Sequence, residues 1–206
     1  MKRTYLWASA VALLFAAPAG AQVNSVAHGF SLGFHVQGAA MDPEDDLNDN
    51  GGGGALELGW GFHNDLGLFL TFGVSAMQPE SGKGGSPYAL TEMDLGGRYT
   101  FRGESAHWRP YAQAALTTLV ATFEDVSFLG DPNTDVQFMA PALSLGGGVD
   151  YYLSPSWSAG FGLVWSAGSI NQVKVDNVTI DLEPEDQFDV QSTRVQLGVR
   201  YHFADN

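Results

Sequence analysis

The feature that most constrains the fold of this chain is an alternation, with a period of two, between apolar residues and small or polar ones. In the first such segment, Phe30, Leu32 and Phe34 are separated by single Ser and Gly residues. A period of two is typical of β-strands with one apolar face, and after residue 21 no segment sustains the helical period of 3.6 residues. The pattern predicts eight strands, at residues 30–37, 56–62, 68–75, 92–101, 111–120, 143–153, 158–166 and 196–203.

The connections between these segments alternate in length. Short connections are expected near residues 63–66, 102–108 and 154–156, and long polar ones near residues 41–53, 78–87, 122–137 and 168–189. Short turns at one end and long loops at the other are typical of bacterial outer-membrane barrels, whose long loops are extracellular. The sequence therefore predicts an all-β fold, an eight-stranded antiparallel transmembrane up-and-down β-barrel.

The composition of the strands indicates which face of the barrel is apolar. A soluble barrel or sandwich would turn its apolar residues inward, whereas a membrane barrel turns them towards lipid. Here the alternate positions hold mostly Gly, Ser and Thr, which suit a narrow interior, and only 16% of all residues are charged. Strands also end in aromatic residues, such as Trp60 and Phe62, as an interfacial girdle requires. These features favour apolar side chains on the outside.

The N-terminal segment has the three parts of a secretory signal peptide. Lys2 and Arg3 are basic, residues 5–17 are apolar, and residues 19–21 read Ala-Gly-Ala, which matches a cleavage site. The apolar run is shorter than the roughly 20 residues that a spanning helix needs. We expect a cleaved signal peptide at residues 1–21, a barrel domain at residues 22–206, and localisation in the outer membrane of a Gram-negative cell.

Charge and cysteine content exclude several classes of function. Without Lys2 and Arg3 the chain has 7 basic and 23 acidic residues, a net charge of −16, which disfavours binding of nucleic acid. The chain has no Cys, which excludes disulfides, Cys-ligated metals and thiol catalysis. None of its five His residues lies in a His-x-Ser motif, so we expect a protein that is not an enzyme. A lipid-modifying barrel hydrolase with a Ser and a His is the least favoured alternative.

Three short motifs carry a resemblance to a known family. Residues 109–111 read Arg-Pro-Tyr, residues 147–153 read Gly-Gly-Val-Asp-Tyr-Tyr-Leu, and residues 199–203 read Val-Arg-Tyr-His-Phe. With these motifs the chain resembles small outer-membrane β-barrel proteins of the OmpA, OmpX and OmpW type, and residues 109–203 look closest to OmpW-like members. The resemblance implies a structural or porin-like barrel that passes small, hydrophobic molecules through a constricted lumen. It also implies an assembly signal at Tyr201 and Phe203, read by the barrel-assembly machinery and periplasmic chaperones.

Charged residues on the predicted inner face are the first candidate site. A charge in a narrow interior must be paired or hydrated. The charges can form a structural network, since an eight-stranded barrel barely holds its own side chains, or they can gate a pore. Because the last strand closes onto the first, we expect Arg194 to lie near His35. Parity places nine residues in the lumen: His35, Glu57, Glu92, Asp94, Arg98, Asp150, Arg194, Arg200 and His202.

The first long connection contains a calcium-like pattern. Asp46, Asn48, Asn50 and Glu57, with a Gly at position 51, match the spacing of an EF-hand loop, which supplies oxygen ligands at alternate positions. An EF-hand needs flanking helices, whereas both flanks here are predicted strands. A Ca²⁺ site at these residues is therefore the weaker interpretation, and a solvated acidic loop is favoured.

The long connections hold 16 of the 23 acidic residues. Such loops would make the outer surface strongly negative, with divalent cations bridging it to lipopolysaccharide phosphates or with charge serving solubility in salt. The sequence favours an outer-membrane barrel that is structural or a narrow pore for small solutes. Adhesion or interaction with a partner through the acidic extracellular loops is the main alternative.

Overall fold

The computed structural model describes residues 28–42, 49–79, 86–101, 107–128, 131–175 and 178–203. The predicted signal peptide at residues 1–21 lies outside these residues. Within this part of the chain no helix is long and apolar enough to cross a membrane. The described residues form ten β-strands: β1 (Gly29–Asp42), β2 (Asp49–Gly61), β3 (Leu66–Gln78), β4 (Tyr88–Thr100), β5 (Trp108–Phe128), β6 (Asp131–Ser154), β7 (Trp157–Ile170), β8 (Gln172–Val175), β9 (Val178–Asp181) and β10 (Phe188–His202).

Eight of these strands close into an antiparallel barrel. Strands β1 to β6 each pair with the next strand along the chain, and β10 pairs with both β7 and β1 to close the wall. Strands β8 and β9 form a hairpin that adds to β6 at one end of the barrel. The predicted eight-stranded barrel is confirmed, including its least regular strand at residues 111–120, which lies inside β5.

The side chains alternate between the two faces of the wall as the sequence predicts. Along β3, Leu68, Leu70 and Phe72 are 40–53% exposed on the outside. Between them, Phe69 and Thr71 are 4% and 5% exposed and point into the barrel. The same pattern around the wall produces an outer band of large apolar side chains, which is the surface that lipid covers in a membrane barrel.

The end of the barrel that carries residues 28 and 203 is called the proximal end. Its described connections are short, and in the first the backbone amides of His63 and Leu66 each donate to the other residue's carbonyl at 3.2 Å. Aromatic side chains surround this end. For example, the ring centroids of Trp157 and Tyr201 are 5.0 Å apart, and those of Tyr201 and Phe203 are 4.9 Å apart. This arrangement is the girdle predicted from the aromatic strand ends. The predicted turn near residues 102–108 lies mostly outside the described residues.

The opposite, distal end differs from the prediction, because strands replace part of three expected loops. In the first, residues 49–53 belong to β2, and residues 50–53 pair with both β1 and β3, so the Gly-rich run is held by two neighbours. In the second, within residues 122–137, β5 and β6 continue as a hairpin and only residues 129 and 130 lie between them. In the third, residues 168–189 contain the end of β7, strands β8 and β9 and the start of β10. Polar composition was misleading because pairing with neighbouring strands holds these segments as well as their few apolar residues do.

The wall is therefore higher on one side. The last residue of β5 that pairs with β4 is Thr122, and β5 runs six residues further to Phe128, about 20 Å at roughly 3.3 Å per residue. Strand β8 pairs with residues 136–139 of β6, and β9 pairs with β8. We call the part formed by residues 123–128, residues 131–139, β8 and β9 the raised sheet. The connection between β3 and β4 at residues 79–87 remains the long one that the sequence predicts.

Candidate functional site

Two layers of charge cross the barrel interior, and the first, the proximal charge layer, is centred on Glu57. Arg98 donates to both Glu57 carboxylate oxygens, at 3.0 and 2.7 Å. Arg200 donates from Nε to Glu57 Oε1 at 3.0 Å and from Nη1 to Asp150 Oδ2 at 2.6 Å. Two carboxylates thus face two guanidinium groups, and the layer is balanced in charge.

Side chains from other strands hold Arg98 in place. Gln113 on β5 accepts from Arg98 Nε at 3.0 Å and from Nη2 at 2.7 Å through its amide oxygen. The guanidinium carbon also lies 4.4 Å from the centre of the Tyr111 ring and 5.1 Å from that of Phe69. His35 on β1 approaches the layer, with Nε2 3.7 Å from Glu57 Oε2. The layer therefore joins side chains from most of the strands in the wall.

The second layer, the distal charge layer, is centred on Arg194. This guanidinium donates to Asp94 at 2.7 and 3.2 Å as a bidentate pair, and its Nη2 donates to Ser166 Oγ at 3.1 Å. A longer contact of 3.4 Å joins Nη1 to Glu92 Oε2. Arg194 is 0% exposed and Glu92 is 1% exposed, so water does not reach them. Two carboxylates share one guanidinium here, so this layer carries more acid than base.

Uncharged polar side chains complete the distal charge layer. Thr117 Oγ1 donates to Asp94 at 2.7 Å, and Ser144 and Ser166 share a hydrogen bond of 2.6 Å. On the other side, Gln37 Nε2 donates to Glu92 at 2.9 Å and to a serine hydroxyl at 3.0 Å. The distal charge layer is thereby tied to strands on every side of the barrel.

Above the distal charge layer the interior becomes apolar. Tyr88 crosses this region, stacks on Phe123 at 4.6 Å between centroids and donates its hydroxyl to Asp49 at 2.9 Å. The side chains packed together at this level form what we call the apolar plug: Ala39, Met41, Met77, Tyr88, Leu90, Leu119, Ala121, Ala140, Ala142, Ile170 and Val190.

Together the two charge layers and the apolar plug fill the lumen. Leu90 is 0% exposed and Met77, Leu119 and Val190 are 1% exposed, so the described side chains are closely packed at this level. Below the proximal charge layer, a cavity of about 60 Å³ opens at the proximal end and is bordered by Glu57 and other interior side chains. This volume holds about two water molecules. The described part of the barrel is thus open at its proximal mouth and closely packed above it.

The structure places all nine predicted lumen residues inside the barrel, and it joins most of them in the two charge layers. The expected neighbourhood of Arg194 and His35 is wrong. Arg194 lies opposite Ala39, four residues and about 13 Å along β1 from His35. Its guanidinium reaches across the lumen to Asp94 instead, because the register of β10 against β1 sets its height in the barrel.

The calcium-like pattern does not form a site among its described members. Asn50 and Glu57 lie seven residues apart on β2, about 23 Å in an extended strand and on opposite faces. Calcium ligands must all lie within about 2.6 Å of one ion, so these two residues cannot share one. Glu57 is instead bound by Arg98 and Arg200. Asp46 and Asn48 lie outside the described residues.

One pair that the sequence did not reveal joins Ser158 on β7 to His202 on β10. Their Oγ and Nε2 atoms are 3.0 Å apart, and the His202 ring stacks on Tyr152 at 5.1 Å between centroids. A Ser–His contact is the core of many hydrolase sites. Here Ser158 is 0% exposed, so a substrate cannot reach its hydroxyl. The one signal in the sequence for this contact was the alternation along the two strands, which places positions 158 and 202 on the inner face.

The raised sheet is the second candidate site, and it has one apolar face. The register aligns Phe138 with Val173 and Ile180, and it aligns Val175 with Val178 in the next row. These side chains continue the inner face of the barrel wall. The opposite face of the sheet is polar and carries Gln137, Lys174 and Thr179 in one row and Gln172 and Asp181 in another.

The charge of the raised sheet and its surroundings is strongly negative. Residues 122–137 and 168–189 contain ten Asp or Glu residues and a single basic residue, Lys174. Among those described, Asp181 accepts from Gln172 at 2.7 Å and Asp189 accepts from Ser169 at 2.9 Å. The remaining acids include Glu183, which lies exposed beside the end of β9.

The family model of the outer membrane protein β-barrel domain matches residues 8–203. The chain belongs to this family. Membership indicates localisation in the outer membrane. None of the curated proteins matches the sequence.

Solved structures of small outer-membrane barrels share the fold. Neisserial surface protein A (NspA) superposes with a TM-score of 0.63 at 20% identity, covering 85% of this chain and 97% of that one. Ail, the attachment invasion locus protein of Yersinia pestis, superposes with a TM-score of 0.54 at 16% identity, covering 85% of this chain and 99% of that one. OprG from Pseudomonas aeruginosa superposes with a TM-score of 0.50 at 12% identity, covering 90% of this chain and 100% of that one. At these identities the likeness establishes the barrel fold alone.

Proposed function

We propose that this outer-membrane protein acts at the cell surface, with the barrel as an anchor and the raised sheet as the part that binds an extracellular partner. The observation that carries the proposal is the filled lumen beneath a projecting sheet. Leu90 and Arg194 are both 0% exposed at successive levels, which supports an anchor more than a route for solutes among the described residues. The surface above it presents a polar face, an apolar face and a dense set of carboxylates.

Transport through a constricted lumen, the function that the resemblance implies, has less support. A gate needs a charged group that can swing aside into water, whereas the distal charge layer lies between the proximal charge layer and the apolar plug, and its Arg194 is 0% exposed. Opening the lumen would require the apolar plug to move as well as the ion pairs. Catalysis by Ser158 and His202 is disfavoured because the serine is fully buried.

The chemistry of the partner follows from the charge of the raised sheet. Ail has been crystallised with the heparin analogue sucrose octasulfate, a polyanion. The carboxylates around β9 would repel such a ligand, so we expect this protein to bind basic polypeptides and not heparin-like polyanions.

The test compares the intact protein with a variant that lacks the β8–β9 hairpin. The Leu182 amide donates to the Asn171 carbonyl at 2.8 Å, so these two residues lie directly opposite. Residues 172–181 can therefore be replaced by an Asn-Gly turn without disturbing the barrel. Both proteins, in lipid nanodiscs, are measured against purified extracellular proteins of known charge. We expect the intact protein to bind the basic proteins of this set and the variant to lose that binding. Equal binding by both, or no binding together with ion conductance in planar bilayers, would refute the proposal.

A further inference from the structure

The edge strand of the raised sheet has unpaired backbone groups. β9 is the terminal strand of the sheet, and among the described residues no strand pairs with its outer side. The Leu182 amide donates to Asn171, so Leu182 faces β8, and by alternation Ile180 and Val178 do as well. The amides and carbonyls of Thr179 and Asp181 therefore point away from the sheet. An edge of this kind is a template for pairing with another chain.

The side chains along the same edge offer contacts to an added strand. Val178 is 63% exposed and Ile180 is 50% exposed, although this part of the chain lies outside the apolar band of the barrel. They continue the apolar rows of Val173 and Val175 on β8. A strand added to β9 would place every second side chain beside Val178 and Ile180 and bury them.

The edge lacks the usual protection against strand pairing. Natural sheets commonly protect an edge with Pro, Lys, a bulge or a covering loop. β9 reads Val-Thr-Ile-Asp, pairs regularly with β8 and is exposed along its whole length. Its protection is limited to its short length of four residues and the charge of Asp181.

The surrounding charge selects the sign of the partner. Asp181 lies on the edge, and residues 183, 185 and 186, which follow it, are all acidic. A second copy paired on the same edge would bring these carboxylates together, which is unfavourable. Positively charged side chains on the added strand would instead lie beside them.

On the basis of the proposed function, we infer that the outer edge of β9 binds an extended, basic segment of an extracellular protein as an additional β-strand. The backbone groups of Thr179 and Asp181 supply the hydrogen bonds. Val178 and Ile180 supply the apolar contact, and the acidic cluster selects for lysine or arginine. This mode of recognition is β-augmentation.

The test uses proline at a position that β9 can tolerate. In Thr179→Pro the lost amide faces outward, so the pairs with β8 remain, whereas Thr179→Val keeps the amide and serves as the matched control. The probe is a short peptide of alternating lysine and valine, measured against the protein in nanodiscs. We expect Thr179→Pro to weaken binding about fivefold, which is the loss of one net hydrogen bond, and Thr179→Val to leave it unchanged.

Two further probes separate pairing from simple charge attraction. A lysine–valine peptide with N-methylated backbone amides should bind much more weakly, and a glutamate–valine peptide should not bind. Equal affinity for the methylated and unmethylated peptides would overturn the inference. If the hairpin deletion abolishes binding of whole proteins while Thr179→Pro does not weaken it, the proposed function survives and strand addition fails.

Pairing of two copies is the competing outcome. Because the chain has no Cys, Thr179→Cys introduces a unique thiol. Efficient disulfide cross-linking between two barrels in one bilayer would show that β9 pairs with itself, and it would refute the inference of a basic partner. We expect cross-linking at background level.

Discussion

Replacement of Arg194 by methionine tests whether the distal charge layer is as dry and as tightly paired as the structure indicates. The change keeps an unbranched side chain and removes the guanidinium, leaving Asp94 and Glu92 without their shared cation. Asp94 keeps the hydroxyl of Thr117 and Glu92 keeps the amide of Gln37. Neither of these partners carries a positive charge, so two buried carboxylates would remain unpaired.

The expected cost is set by that unpaired charge. Removing one partner of a buried ion pair typically costs about 3–5 kcal/mol. Arg194 is 0% exposed, so the upper half of this range applies. Arg98→Met should cost less, about 1.5–3 kcal/mol, because Glu57 keeps Arg200 at 2.8 Å and the hydrated cavity lies beside it.

The assay is urea unfolding of the barrel in lipid vesicles, followed by the fluorescence of its four tryptophans, Trp60, Trp108, Trp157 and Trp165. A triple variant with Arg194→Met, Glu92→Gln and Asp94→Asn provides the internal control, because its layer is neutral. We expect the triple variant to recover most of the stability lost in the single variant. A loss below about 1 kcal/mol for Arg194→Met would refute the reasoning, since that value is typical of hydrated surface pairs.

Three other outcomes follow from the same structure. Arg98→Ala and Arg200→Ala should leave conductance in planar bilayers at the level of the lipid alone, because the apolar plug closes the lumen above them; a stepwise rise in current would establish a gate. Gly148→Ala should destabilise by about 1–3 kcal/mol, since its Cβ would overlap the backbone carbonyl oxygen of Phe161 and lie 2.6 Å from the Tyr111 hydroxyl. Gly97→Ala, whose Cβ meets nothing nearer than 3.9 Å, should be neutral or slightly stabilising. The purified protein should show no esterase activity, with wild type and Ser158→Ala indistinguishable.

The strands and the inward or outward direction of their residues could be predicted because alternation with a period of two leaves only one question for each strand, namely which of its two faces is the outer one. Once the outer face is known to be apolar, Glu57 and Arg194 must point inward. Their partners could not be predicted, because contacts across a lumen depend on the relative height of strands that are distant in sequence. Arg194 meets Asp94, 100 residues earlier, through the combined register of several strand pairs.

The raised sheet was missed for a different reason. Residues 122–137 contain no alternation strong enough to distinguish a strand from a polar loop, and their strand structure depends on pairing between β5 and β6. A polar outer face has no free-energy cost in water, so a strand above the membrane does not need the apolar outer residues that reveal the other strands. The apolar plug was missed because Met41, Met77 and Tyr88 lie beyond the predicted strand ends.

The apolar plug also marks where the membrane ends, because the apolar side of the wall changes there. Along β3, Phe72 and Val74 point outward, whereas Met77, three residues beyond Val74, points inward and is 1% exposed. An outward apolar residue needs lipid, and the outward positions after Val74 are Ala76 and then the polar Gln78. The bilayer boundary on β3 therefore lies between Val74 and Gln78. Phe72→Arg, on the outer face below this boundary, should cost about 2–4 kcal/mol, the cost of arginine near the bilayer midplane.

Gln78→Arg is the matched control, since it lies on the same strand and the same face but above the boundary. It should cost about 0–1 kcal/mol, the value found near the interfaces. Unfolding of both variants in vesicles of one lipid gives the difference directly. Similar costs for the two substitutions would show that the boundary does not follow the change of face. The raised sheet begins above this level, and its outer face can therefore be polar and its edge can be open to a partner from solution.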